Sequence, residues 1–133
     1  MRVVIADHEA KIRSGLVVAA REMNVSVIAE VSQVEALLDY VSHSLPDVVL
    51  LSWELPGLLP EIHLPAMRLF GLGCKMIVFS KDELEHYRAM AAGADHFLGI
   101  NDPPECLLEA IYSVYAISRT SVRTRRRELL LTI

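Results

Sequence analysis

The sequence predicts an α/β domain of five βα units, (βα)5, wound around one doubly wound, five-stranded parallel sheet. Three observations predict it. Short strand-like runs alternate with helical patterns along the whole chain. The strand-like runs are apolar at successive positions rather than at every second one, which suits strands covered on both faces. Start and stop residues of helices fall where one pattern gives way to the next.

The strand-like runs are Arg2–Ala6, Val25–Val31, Asp47–Ser52, Lys75–Ser80 and His96–Ile100. Helical patterns lie between them at about Glu9–Met23, Gln33–Ser42, Pro65–Leu72, Asp82–Ala92 and Pro103–Ser118. Ser32 and Ser80 are expected as N-caps, with acidic residues in the turn that follows. Pro103 and Pro104 suit the first position of a helix, and Gly93 suits a left-handed C-terminal cap. The third helix is the weakest element. Pro60 and Pro65 flank Glu61–Leu64, and a proline inside a helix costs about 3 kcal/mol. That helix is expected to start at Pro65, with Gly57–Leu64 as an irregular loop. In such a sheet a site belongs at the carboxyl ends of the strands.

A chain of 133 residues fits one compact domain with a real core. Its hydrophobic content is 53%, yet no apolar run approaches the ~20 residues of a membrane span. The apolar start Val3–Ala6 is cut off by Asp7, so no signal peptide is expected. Cys74 and Cys106 read as small core residues of a reducing compartment, and the expected location is cytoplasmic. Charge divides the chain. Residues 1–118 carry 8 Lys/Arg and 16 Asp/Glu, a net of −8; residues 119–133 carry 5 Arg and 1 Glu, a net of +4. The basic stretch reads as a solvated tail, or as a linker that approaches nucleic acid or an acidic partner.

Five segments carry a family likeness: VVIAD (Val3–Asp7), PDVVLLSWELPG (Pro46–Gly57), MIVFS (Met76–Ser80), AAGADHFL (Ala91–Leu98) and PPECLLEAI (Pro103–Ile111). Together they resemble the response-regulator receiver domain. GADHFL and LLEAI look most like its NarL/LuxR-type subfamily. The resemblance covers roughly residues 2–118 and implies a flavodoxin-like fold.

It also implies a magnesium-dependent phosphotransfer centre. Such a centre uses two carboxylates after the first strand and an acceptor aspartate ending the third. A Ser or Thr ends the fourth strand and a lysine ends the fifth. In this sequence Asp7 keeps the first carboxylate, but His8 replaces the second. Ser52 stands at the acceptor position, Ser80 keeps the hydroxyl, and Ile100 replaces the lysine. Magnesium wants oxygen ligands, and His8 is a poor one. Only a carboxylate forms a reactive acyl phosphate, and the transferring group needs a cation beside its developing charge. The pocket is therefore read as degenerate, with no catalytic residue, metal or cofactor.

The replacements suggest another polar cluster. Glu54 rims the old site, and Lys81 stands where it could reach inward to Asp7 or Glu54; both also fit plain solvated surface. Phe97 occupies the position of the family's switch aromatic, which moves inward when the Ser/Thr engages phosphate, and it is expected to stay packed. His8 reads as a loop residue or as a proton-sensitive switch. His43, His63, His86 and His96 have no ligand-like spacing, so no zinc site is expected.

These readings converge on a phosphorylation-independent pseudo-receiver, the regulatory and dimerisation domain of a NarL/LuxR-type transcriptional regulator. A stand-alone adaptor for a signalling partner and a metabolite-sensing domain are the alternatives. No glycine-rich phosphate loop follows the first strand, so an enzyme is not expected. Leu107, Ala110, Ile111 and Val114 form a stripe that should face the sheet. Leu108, Tyr112 and Tyr115 form a second stripe, which suggests a homodimer through the surface of the fourth helix, fifth strand and fifth helix. TRRRELLLTI (Thr124–Ile133) faintly resembles the opening of a helix-turn-helix domain. DNA would be read only through such a C-terminal domain.

Overall fold

The computed structural model describes residues 1–114. Along them run β1 (Arg2–Ala6), α1 (Ala10–Glu22), β2 (Ser26–Val31), α2 (Val34–Ser44), β3 (Val48–Ser52), α3 (Pro60–Phe70), β4 (Lys75–Ser80), α4 (His86–Ala92) and β5 (His96–Gly99). A short 3-10 turn, Glu83–Glu85, leads into α4. Residues 104–114 form the described part of a last helix, α5. The strands make one parallel sheet in the order β2-β1-β3-β4-β5. This is the flavodoxin-like (βα)5 architecture read from the sequence.

The unbroken apolar character of the central strands has a direct structural cause. All five side chains of β3 are buried. Val49 and Leu51 enter one cluster with Leu37 of α2, Met67 of α3 and Ala89 of α4. Val48 and Leu50 enter another with Leu107, Ala110, Ile111 and Val114 of α5, and Leu16 of α1 packs against it. Each fully buried aliphatic side chain contributes about 1.5–3 kcal/mol, so a strand covered on both faces is strongly held. That rigidity is what positions the loops at its carboxyl end. Among the described residues no helix is long and apolar enough to cross a membrane.

Three local expectations are corrected. α3 starts at Pro60, not Pro65, and Pro65 lies inside it. Pro60 sits in the first turn, where its missing N–H has no helical partner anyway. The carbonyl that Pro65 leaves without a helical donor is on an exposed turn, so water can serve it. Pro60, Leu64 and Met67 are buried on the sheet side, and His63 Nδ1 accepts the Leu59 N–H at 2.8 Å. Packing and that bond outweigh the proline.

Neither serine expected as an N-cap is one. Gln33 precedes α2 without a side-chain cap, and Asp82 caps the 3-10 turn by accepting the Leu84 N–H at 3.0 Å. Ser80 still belongs to β4. Gly93 does close α4 in the left-handed region, at φ 116°.

The second stripe of α5 lies elsewhere than expected. Leu108 and Tyr112 border a groove against Ala19 and Glu22 of α1 and Met23 just after it, not the α4–β5 side. Helix geometry explains it. Once Leu107, Ala110 and Ile111 face the sheet, positions 108 and 112 rotate toward α1. Tyr115 and the basic stretch 119–133 lie outside the described residues.

Candidate functional site

Strands β1, β3 and β4 run in parallel register, pairing Ala6 with Leu51 and Ser52 with Phe79. The residues that follow or end them therefore meet on one rim. Asp7, Ser52 and Ser80 are 2%, 3% and 1% exposed, and they are the buried polar side chains among the described residues. The sequence named all three. Buried polar groups demand partners, and each has them.

Those partners centre on Glu54. Its Oε1 accepts the Ser80 hydroxyl at 2.8 Å and the Lys81 backbone N–H at 2.9 Å. Its Oε2 lies 3.5 Å from the Ser52 hydroxyl, a long contact. Each serine oxygen also accepts a backbone N–H two residues on: Glu54 to Ser52 at 3.3 Å, Asp82 to Ser80 at 3.0 Å. Asp7 stays apart from this group. Its Oδ1 accepts the Glu9 N–H at 2.7 Å and lies 3.5 Å from His8 Nδ1.

Lys81 corrects the expectation that it pairs with Asp7 or Glu54. Its ammonium donates to Glu9 Oε1 at 2.6 Å, reaching across the mouth of the pocket. The pair is 56% and 38% exposed, so it is a surface ion pair rather than a partly buried one. The Lys81 ammonium bonded to Glu9 holds that carboxyl below its ordinary range, and Glu9 in turn holds Lys81 above its own. Glu9 escaped the sequence reading. Its place two residues after Asp7 in the same loop was the available signal.

The β5 side of the rim is apolar. Ile100 donates its N–H to the Ser80 carbonyl at 2.9 Å, while its side chain packs toward the α1/α5 cluster. It helps line a hollow of about 180 Å³ between α1 and α5, with Leu16, Ala19, Pro104 and Leu107. Phe97 packs against the opposite cluster and stacks on His86, with centroids 4.9 Å apart and planes 15° off parallel. A second set of contacts ties the β3–α3 loop to α4. Trp53 Nε1 donates to Glu85 at 2.9 Å, the Arg88 guanidinium lies 5.4 Å over the indole, and Arg88 pairs with Glu61 at 2.9 Å. These residues were not singled out from the sequence, since nothing local links positions 53 and 88.

The donor set does not fit magnesium. Asp7 is the one carboxylate retained, Ser52 brings no charge, Glu54 is engaged by Ser80 and Lys81, and the Lys81 ammonium stands at the entrance. Burial pushes the Cys74 thiol up to about 11, and burial also raises Cys106, so neither is a ready nucleophile at neutral pH.

A rim of this kind on a 2-1-3-4-5 parallel sheet defines the class: a flavodoxin-like α/β domain with its site at the strand ends. Among solved structures the likeness is to receiver domains of response regulators. The signal receiver domain of the response regulator NarL from Mycobacterium tuberculosis is 26% identical, with 89% of this chain and 95% of that one covered and a TM-score of 0.75. A LuxR-family two-component response regulator from Aurantimonas is 21% identical, with 86% and 84% covered and a TM-score of 0.78. A LuxR-family DNA-binding response regulator from Staphylococcus aureus is 22% identical, with 85% and 97% covered and a TM-score of 0.75. The latter two likenesses establish the fold alone. No family model and no curated protein matches the sequence.

Proposed function

We propose that this domain is the regulatory and self-associating module of a NarL/LuxR-type transcriptional regulator, and that it works without aspartyl phosphorylation. One observation carries the reading: β3 ends in buried Ser52, and the neighbouring Ser80 hydroxyl is already engaged by a carboxylate of the same chain. A serine cannot form the acyl phosphate, and with Ile100 turned away no β5 cation stands by to stabilise the transfer. DNA contact would belong to a domain for which Thr124–Ile133 is the opening. Self-association would use the α1–α5 face, where Leu108 and exposed Tyr112 flank the groove.

Incubation with acetyl phosphate or beryllofluoride plus Mg²⁺ is expected to leave intact mass, melting temperature and oligomeric state unchanged. A stoichiometric gain of one phosphate that is labile to acid as well as to base, as an acyl phosphate is, overturns the reading. Sedimentation at micromolar concentration tests the second part. A dimer that Tyr112→Glu converts to folded monomer is expected; a wild-type monomer removes self-association from the proposal. A metabolite sensor is the second reading, favoured by the apolar hollow beside Ile100.

A further inference from the structure

We propose that Glu54 is a built-in anionic ligand. Its carboxylate fills an oxyanion cradle made by the Ser80 hydroxyl and the Lys81 N–H, and the emptied cradle takes a small free oxyanion in its place. This inference rests on the reading above that the pocket is not phosphorylated, and it names what occupies the pocket instead.

The geometry of the donors is the first argument. Two of them, at 2.8 and 2.9 Å, converge on a single oxygen, Glu54 Oε1. Bonds to an ionised acceptor are stronger than neutral ones, and Ser80 offers its bond from a site only 1% exposed. The Ser80 oxygen accepts the Asp82 N–H at the same time, which leaves its proton free to point at the carboxylate. The cradle is thus pre-oriented rather than formed around Glu54 by chance. The Lys81 ammonium adds positive charge nearby; Glu9 does most to raise its pKa, and Glu54 and Asp7 add to that.

Ser52 is the second argument. Its oxygen accepts the Glu54 N–H at 3.3 Å and its hydroxyl lies 3.5 Å from Glu54 Oε2. A carboxylate at position 52 would face Glu54 at close range, and like charges at that distance repel. Ser52 and the inward Glu54 therefore go together. The change that removes a phosphate acceptor is the same change that lets an internal carboxylate settle.

Occupation of the cradle is transmitted to α4. Ser80 accepts Asp82, Asp82 caps Leu84, and Trp53 beside Glu54 bonds Glu85. Leu84 in the 3-10 turn and Tyr87 in α4 are both almost fully exposed. With Glu54 in place, their presentation is permanent rather than signal-dependent.

The test uses Glu54→Ala in the 133-residue chain, read by melting temperature and by the Lys81 amide resonance. The variant is expected to melt lower and to show a shifted Lys81 amide. Sodium acetate, and separately inorganic phosphate, should raise its melting temperature and titrate that amide back toward its wild-type position. Chloride at matched ionic strength should do neither, and the wild type should respond to none of the three. Rescue by acetate alone defines a carboxylate-sized site; rescue by phosphate as well defines a general oxyanion site. An unshifted Lys81 amide in Glu54→Ala, or equal rescue by chloride, overturns the proposal. If Glu54→Ala does not fold, Glu54→Gln keeps a neutral acceptor and Ser52→Asp supplies the opposing charge. Both variants should then shift the Lys81 amide, Glu54→Gln by removing the acceptor's charge and Ser52→Asp by displacing it, and an amide unmoved in both refutes the assignment. Acyl phosphorylation of the wild type would instead defeat the functional reading, so the two failures remain distinguishable.

Discussion

The inner and outer layers of the rim use opposite kinds of interaction. The inner layer (Ser52, Glu54 and Ser80) is built from hydroxyls buried at strand ends and one carboxylate that reaches down to them. The outer layer (His8, Glu9 and Lys81) is built from charges that span the mouth in solvent. Burial decides their relative weight. A buried donor that loses its partner bears the full desolvation cost, whereas an exposed ion pair exchanges one solvated state for another. The rim's most conspicuous charges therefore matter less to its integrity than two uncharged serines.

Ser80→Ala is the strongest way to break that contrast. It removes the hydroxyl that joins Glu54 to Asp82 and should lower stability by about 1–3 kcal/mol in urea denaturation. A loss no greater than that of a surface substitution would show that the inner layer carries no special weight. Lys81→Ala is expected to have the smallest effect, leaving the denaturation midpoint unchanged within error at moderate salt. A clear fall would promote the outer layer to a structural role.

The pH dependence sharpens the same comparison. Glu9 titrates below its ordinary value of 4.5 because of the Lys81 ammonium. Its contribution is therefore complete above 4.5 and fades as pH falls through the lowered folded value. Lys81 titrates above its ordinary 10.5 because of Glu9, so its contribution is complete below 10.5 and fades as pH rises through the raised value. At low salt, any offset between wild type and Lys81→Ala should thus be constant through neutral pH and close only at the two extremes.

Legibility in the sequence followed how local each cause was. Strand β3 was readable because five consecutive apolar or small residues admit few alternatives to a doubly covered strand. Gly93 was readable because a helix that closes in the left-handed region favours glycine there. Asp7, Ser52 and Ser80 were named through the receiver resemblance, which places site residues just after or at the end of such strands. α3 was misread because the local penalty of Pro65 is visible in sequence, while the burial of Pro60, Leu64 and Met67 that offsets it is not. Leu108 and Tyr112 were expected on the surface of the fourth helix and fifth strand, whereas they border a groove against α1, since periodicity gives a face and not what lies opposite.

By itself the sequence determined the (βα)5 sheet, which follows from residue type and short-range pattern, and through the receiver resemblance it drew attention to Ser52 and Ile100. The tertiary structure alone decided that Lys81 pairs with Glu9, 72 positions away, and that Glu54 turns inward onto Ser80, 26 positions away. The reason is physical: several carboxylates were within a lysine's reach in principle, and only the parallel register of β1, β3 and β4 fixes which of them stands at bonding distance.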